Sequence, residues 1–518
     1  MTRTRVRAQR ILAAGAPAGP AEIVVDGGRI ASVGGVGHAD SLGPFVELGD
    51  PARDVVLAGF VNGHHHSLRP SRLRRLTEPL ELNLLQMRRR RLPPLSEEQE
   101  YEHSLWAGLM LLQTGVTAVV DCFPGDHRRP DLGLGPSLQG YLDAGIRAAV
   151  CVRCSDRSNF TYEDDADFLA RLPESVRDVT GRNSQPLDAP AFIASVERVA
   201  ADFDGRDDRL RIGYAPTGDA WCTDRLLREI RDASENRDAP VQIHLLESPY
   251  QRVAAHRRYG KSAVHHLREL AFMGPRFSFA HAVWATDEEL RTIRDAGSSV
   301  VVSPASNLWT ASGMAPIHEF IEVDLPFGIG LDANGFEPGF DMFRELRLAY
   351  LMGRRPGWSR RQVASADLLN AATRGGARAA RFPVPVGGLQ VGEAADLSIV
   401  TIDASRTPPY ADLDGPLDDV VVALGSSSIV RQVLVGGRVV YEQNDAWRSR
   451  IAAVARRVSA SLESFYPLLT DADTEFHAVR PYVDAHFGAI DLAEHGIAPG
   501  SPNMMATNGT QIVSMEGS

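Results

Sequence analysis

The sequence predicts an α/β protein, a (β/α)8 barrel joined to a small composite β-sandwich formed by both ends of the chain. Three observations predict it. Eight short β-rich runs alternate with helix-period stretches after residue 54. These runs are almost continuously apolar, as strands buried on both faces are. Shorter strands of alternating character, joined by Gly turns, flank the array on each side. A barrel of this kind takes about 250 residues, so a chain of 518 has room for it, the small domain and an extension.

At the front, AEIVVDGGRIASVGG (21–35) has the pattern of a β-hairpin. The expected barrel strands are VVLAGFVNG (55–63), VTAVVDCF (116–123), IRAAVCVRC (146–154), LRIGYAP (210–216), PVQIHLLES (240–248), RFSFAHAVWA (276–285), SSVVVSPASN (298–307) and LPFGIGLDANG (325–335). Between them lie helical runs such as EQEYEHSLWAGLMLLQTG (98–115), with apolar residues three and four apart. Alternation returns in DLSIVTID (396–403) and IVRQVLVGGRVVYEQ (429–443), which supply the second half of the sandwich. A helix is expected at 446–466, and residues 467–518 are expected to form an arm or a partly disordered tail. The expected divisions are 1–56 and 385–443 for the sandwich, 57–384 for the barrel, and 444–518 for the C-terminal helix and tail.

Composition narrows the function classes. Apolar residues make up 44% and charged residues 23%, ordinary globular usage that excludes a fibrous or wholly disordered chain. Fifty-five basic against 66 acidic residues leave a net charge of −11, which argues against a broad nucleic-acid surface. Four cysteines in so long a chain make no disulfide framework. The arginine-rich start has an apolar core of only Ile11 to Ala14 before Gly15 and Pro17, too short for an export signal. No run reaches the roughly 18 apolar residues of a membrane span. The expectation is a cytoplasmic protein acting on a small molecule, with no membrane or nucleic-acid partner.

Active sites of such barrels form at the C-terminal ends of the strands, and there the residue types agree. The first strand ends in Asn62-Gly63-His64-His65-His66, the fifth in His244-Leu245-Leu246-Glu247, the sixth in His281 and the eighth in Asp332. Residues two apart on a strand share a face, so His64 and His66 point together into the barrel mouth while His65 turns away. Imidazoles with a carboxylate suit a borderline divalent ion such as zinc, and three or four protein ligands leave a place for water. Such an ion brings the pKa of its water towards 7, and an unliganded glutamate beside it can shuttle the proton.

AGFVNGHHH, IHLLES, AHAVWA, SPASNLWTASGMAPI and GIGLDANG resemble, in order, the five signature segments of the amidohydrolase superfamily. More narrowly, they resemble its cytosine deaminase, guanine deaminase and triazine hydrolase branch. SADLLNAATRGGARAARF (365–382) and VGGLQVGEAADLSIV (386–400) resemble the helix and strand by which those enzymes re-enter their small domain. The resemblance spans about residues 20 to 445. It implies a distorted barrel, a composite sandwich, one zinc or iron ion, and a homo-oligomer, dimer or larger. It implies that His64, His66, His244 and Asp332 hold the metal. Glu247 would be the acid/base, His281 would hydrogen-bond the reacting water or the nascent oxyanion, and Asp332 would share the proton traffic. Deamination of a purine, pyrimidine, pterin or triazine ring is the implied reaction. The alternatives are hydrolysis of an open-chain urea, carbamate or amide, or a non-catalytic scaffold.

The single lysine of the chain, Lys261, lies in a helical stretch away from the fourth strand end. A carbamylated-lysine bridge between two ions is therefore excluded on composition. Arg69 stands where relatives carry a ring-contacting glutamine; always charged and a donor only, it suits an anionic substrate group. Leu331 replaces the usual threonine before Asp332. The arginines from Arg72 to Arg75 and the run Arg88 to Arg91 suit a solvated helix face. Trp221, Trp284 and Trp309 are candidates for an aromatic pocket, with Trp309 and Asn307 as substrate contacts beside Ser306. Cys151 and Cys154 lack the helix N-terminus that a redox pair uses.

Overall fold

The computed structural model describes residues 3–13, 16–42, 44–67, 93–125, 129–157, 160–180, 187–333, 339–355, 361–402, 415–495 and 497. Its centre is a parallel sheet running in chain order: β1 (Phe60–His66), β2 (Val116–Phe123), β3 (Arg147–Cys154), β4 (Leu210–Pro216), β5 (Val241–Leu245), β6 (Phe277–His281), β7 (Ser299–Val302) and β8. The last strand is in two pieces. Phe327–Ile329 pairs with β7, and Asp332–Ala333 pairs with β1 through Asp332↔His65 and Ala333↔His66. First and last strands therefore meet, and the sheet closes into the expected barrel. Its strands are buried along their length, as parallel strands covered by helices must be.

Three strand boundaries differ from the sequence reading, each for a local reason. The expected first strand, 55–63, divides at Gly59. Asp54–Ala58 belongs to the small domain, and a side chain at Gly59 would strike Thr117 at 2.2 Å. The seventh strand stops at Val302, because Pro304 opens a helix, Pro304–Trp309. Ser306 and Asn307 therefore sit on a helical turn rather than a strand. The eighth is interrupted at Gly330-Leu331, where Gly330 lies so close to His64 that a Cβ would come within 2.7 Å of it.

The small domain stacks two sheets. One is N-terminal only, in the order Arg29–Gly35, Ala21–Asp26, Arg3–Ala8, Phe45–Leu48. The other mixes both chain ends, in the order Arg438–Glu442, Val430–Val435, Leu397–Thr401, Asp54–Ala58, Arg10–Leu12. Val6, Ile23, Val25, Val56, Leu397 and Leu434 fill the space between them. A buried ion pair fastens this domain to the barrel: Arg147 at the start of β3 meets Asp396, whose Oδ1 accepts from Arg147 Nη2 at 3.0 Å and from the Gly436 amide at 2.7 Å.

The helical segment from Ser365 to Ala380 packs against β1 and β8, with a π-helical turn at Ala371–Gly375. Two glycines make that approach possible. A Cβ at Gly375 would lie 1.9 Å from the Phe327 carbonyl oxygen, and one at Gly376 would lie 2.5 Å from that of Val61. Ala379 and Ala380 then join Val120, Cys122, Ala149, Cys151 and Val301 in the barrel interior.

The C-terminal region departs most from expectation. The helix expected at 446–466 runs Asp445–Leu462 and packs on Glu97–Leu112, with Arg457 paired to Glu102. Beyond it a 23-residue helix spans Tyr466–Gly488 in the first part of the stretch expected to be an arm or partly disordered tail, and residues 498–518 of that stretch lie outside the described residues. Its Phe476, Val479, Val483 and Phe487 recur at helical spacing and are buried. They form one apolar cluster with Phe160 and Tyr162 after β3, Trp221 after β4, and Ala333 of β8. That partner surface is assembled from loops far apart in the chain, so the segment's local pattern did not announce it. Among the described residues no helix is long and apolar enough to cross a membrane.

Candidate active site

Backbone geometry at the strand ends aims the functional side chains. Leu246, His281 and Asp332 adopt left-handed conformations, with φ of 47°, 76° and 54°. Such values are uncommon outside glycine and cluster where a site holds strain, at roughly 1–3 kcal/mol each. They turn the chain sharply where β5, β6 and β8 end. His64, His66, His244, Glu247, His281 and Asp332 are all buried, and the structure brings all six together. Ligand atoms of His64, His244 and His281, of His64, His66 and Asp332, and of Glu247, His281 and Asp332 form sets lying within 4.8 Å of one another.

Three of the four imidazoles are held by the far nitrogen, while His244 Nδ1 has no hydrogen-bond partner among the described residues. His64 Nδ1 donates to Gln242 Oε1 at 2.7 Å, because the Gln242 amide nitrogen is itself committed to the Gly63 carbonyl at 2.9 Å and Ser278 Oγ at 3.1 Å. His66 Nδ1 donates to the Cys122 carbonyl at 2.8 Å. His281 Nδ1 donates to Asn307 Oδ1 at 2.9 Å. All three rings are thereby fixed in the tautomer that turns an Nε2 lone pair to the centre. His64 Nε2 and His281 Nε2 have no hydrogen-bond partner among the described residues, a costly arrangement for buried polar atoms unless something else binds there. Asp332 Oδ1 lies 3.8 Å from His64 Nε2 and 3.5 Å from His66 Nε2. Its Oδ2 accepts from the Ser306 hydroxyl.

The electrostatics suit a cation. Burial pushes His64 down to about 4 and holds His244 and His281 below the ordinary histidine range. Burial would raise Asp332, but the imidazoles of His64 and His281 and the Ser306 hydroxyl hold it below the usual carboxylate range. At neutral pH His64, His244 and His281 are therefore neutral imidazoles and Asp332 is a carboxylate, the protonation states a divalent ion requires. The donor set fits zinc or iron. Across the same space His281 Nε2 lies 3.7 Å from Glu247 Oε1, and the Glu247 amide donates to Gln251 Oε1 at 2.8 Å.

Other sequence candidates fall differently. Asn307 faces His281, and Trp309 is half-buried at the end of its helix. Trp284 donates to the Ser312 carbonyl at 2.7 Å, so its polar edge is spoken for. Arg69 and the arginines from Arg72 to Arg91 lie outside the described residues. Lys261 binds Glu269 in an exposed pair. His266 stacks on Tyr259 and binds Asp224 at 2.9 Å. The four thiols are free and buried, and burial pushes Cys151 and Cys222 up to about 12, which leaves them inert. Leu331 contributes through its main chain, its amide donating to Asn62 Oδ1 at 2.9 Å.

Gln242, Cys122 and Asp121 lie outside the signature segments and support the site from behind. Strand alternation marks the first, since Gln242 lies two residues before His244 and shares its face. Asp121 accepts from Tyr141 OH at 2.8 Å and from the Ser67 hydroxyl, which ties the end of β1 to β2.

The Amidohydrolase family model matches residues 55–440. The chain belongs to the amidohydrolase family. It is 26% identical over 424 residues to a 5'-deoxyadenosine deaminase of Methanosarcina barkeri, covering 81% of this chain and 88% of that protein. It is 28% identical over 437 residues to an 8-oxoguanine deaminase of Pseudomonas aeruginosa, covering 82% and 89%. Among solved structures, atrazine chlorohydrolase from Arthrobacter aurescens complexed with zinc superposes with a TM-score of 0.73 at 21% identity, over 89% of this chain and all of that one. This amidohydrolase is thus a hydrolytic enzyme acting on carbon–nitrogen bonds, built on the barrel and small domain of its family.

Proposed function

We propose that this amidohydrolase uses one divalent ion, zinc first and iron second, to deaminate an aminated nitrogen heterocycle with release of ammonia. The observation that carries the reading is the Glu247–His281 pair, 3.7 Å apart, facing the nitrogen and carboxylate cluster. His64, His66, His244 and Asp332 would hold the ion, which supplies Lewis acidity and brings the pKa of water towards 7 when bound. Glu247 takes the proton of the attacking water on a carboxylate oxygen and delivers it to the departing amino nitrogen. His281, its Nδ1 held by Asn307, presents Nε2 to the oxygen that becomes bonded to the ring carbon. Asp332, held by Ser306, accepts the hydroxyl proton as the tetrahedral carbon collapses and returns it to the ring nitrogen, which gained an electron pair when the oxygen added to the ring carbon. Deaminases acting on purine rings among the relatives support a ring substrate. We also read the enzyme as cytoplasmic, which subcellular fractionation tests, and, on the strength of the family resemblance, as a homo-oligomer, which size-exclusion chromatography tests.

The deciding experiment measures metal content together with ammonia release over aminated purines, pyrimidines, pterins and triazines, and over ureas, carbamates and amides. One equivalent of zinc or iron with ammonia from a ring supports the proposal. An amine released from an open-chain substrate moves the chemistry to the urea and amide side. Protein purified without metal, and unable to take any up, overturns the ligand assignment.

A further inference from the structure

The helix Tyr466–Gly488 lies beyond residue 440, where the family match ends, yet it is tied to the mouth of the barrel. Its apolar face shares one cluster with Trp221 after β4 and Ala333 of β8. In an eight-stranded ring the fourth and eighth strands stand on opposite sides, so this cluster reaches both sides of the mouth. Ala333 directly follows Asp332, and Trp309, three residues beyond Ser306, packs against the same cluster. Phe487 sets its ring 4.6 Å from that of Tyr250, three residues after Glu247, and 6.1 Å from Tyr162. Tyr162 in turn holds Trp221 at 5.3 Å.

We propose that this helix roofs the active site, and that Phe487 with Tyr162 and Trp221 forms a specificity-determining apolar wall for the part of the substrate farthest from the metal ligands. The substrate class is then an aminated ring carrying an alkyl, thioalkyl or aryl substituent, bound with its amino group towards Glu247 and its substituent under the roof. This rests on the ring-deaminase reading above. The site is polar and ionic on the strand-end side and apolar on the roof side, and a ring with a polar edge and a greasy substituent satisfies both.

The test uses zinc-loaded full-length enzyme with adenine against 9-butyladenine and melamine against N-butylmelamine. Binding is read by calorimetry and turnover by ammonia release. The wild type prefers a butylated ring about tenfold or more, within the range a few methylenes supply in an apolar pocket. Phe487→Ala removes most of that preference, the butylated ring losing several-fold more affinity than the bare ring with zinc content unchanged, and Phe487→Leu restores part of it. Circular dichroism reports folding, and if the alanine variant fails to fold, a several-fold loss of preference in Phe487→Leu carries the same result. Equal weakening of bare and butylated rings, or no preference in the wild type, overturns the roof while leaving ring deamination standing. Failure of every ring to bind overturns both.

Discussion

The Nε2 atoms of His66 and His244 lie 3.2 Å apart, on rings only 3° from parallel. With the His66 Nδ1 proton committed to the Cys122 carbonyl, its Nε2 presents a lone pair, and His244 meets it from the opposite side of the cluster. A cation held by both residues, as proposed, would turn a crowded contact into a bonded one. Chelation is therefore expected to abolish ammonia release and to lower the melting temperature by several degrees, with one equivalent of zinc restoring both. Differential scanning calorimetry with metal analysis checks this, and a melting temperature indifferent to chelator and zinc alike contradicts it.

Gln242 orients His64 while never facing the centre. Replacing it by leucine frees the His64 ring to rotate and strands the Gly63 carbonyl. Metal affinity is expected to fall about 10- to 100-fold, with kcat close to wild type once zinc is saturating. Competition against a chromogenic chelator measures the affinity.

Asn307 acts through His281, whose Nδ1 proton it accepts. In Asn307→Ala, kcat is expected to fall roughly 10- to 100-fold with zinc content unchanged. Asn307→Asp, which keeps an acceptor, recovers part of the loss. Equal loss of metal and activity in the alanine variant would show instead that Asn307 supports the fold of the site.

Asp219 gives a pH signature away from the chemistry. It is 3% exposed just after β4, and burial pushes its carboxyl up to about 6, against the opposing charges of Arg258 and His266. A raised carboxyl means that the folded state holds a proton the unfolded chain has lost. Stability from this group is therefore complete below about pH 4, falls as pH rises towards 6, and is level above it. Asp219→Asn is expected to be near neutral at pH 4 and to stabilise by about 2–3 kcal/mol above pH 7. Urea unfolding at the two pH values measures the difference.

Much of this was legible in the chain. The eight barrel strands and every residue proposed for metal binding or proton transfer could be read because parallel strands are apolar throughout and carry their chemistry at one end. What was not legible depended on partners distant in sequence. Gly59 divides a run that looks like one strand, because its neighbour Thr117 decides how close the backbone comes. Asn307 looks like a pocket residue until His281 is seen against it. The helix Tyr466–Gly488 has an apolar face whose purpose appears only when Tyr162, Trp221 and Ala333 are placed opposite.

The pairing of Asp332 with His65 sets the order in which this enzyme matures. The histidines of β1 leave the ribosome early, on the open edge of an unfinished sheet, and their carboxylate partner is synthesised only after the other seven strands. On the proposed ligand set metal capture would be a late event in biogenesis, and a chain halted before Asp332 would have the imidazoles without their carboxylate. An ion held as proposed by His64, His66 and Asp332 would join the first strand to the last, a clasp across the seam where the ring was completed.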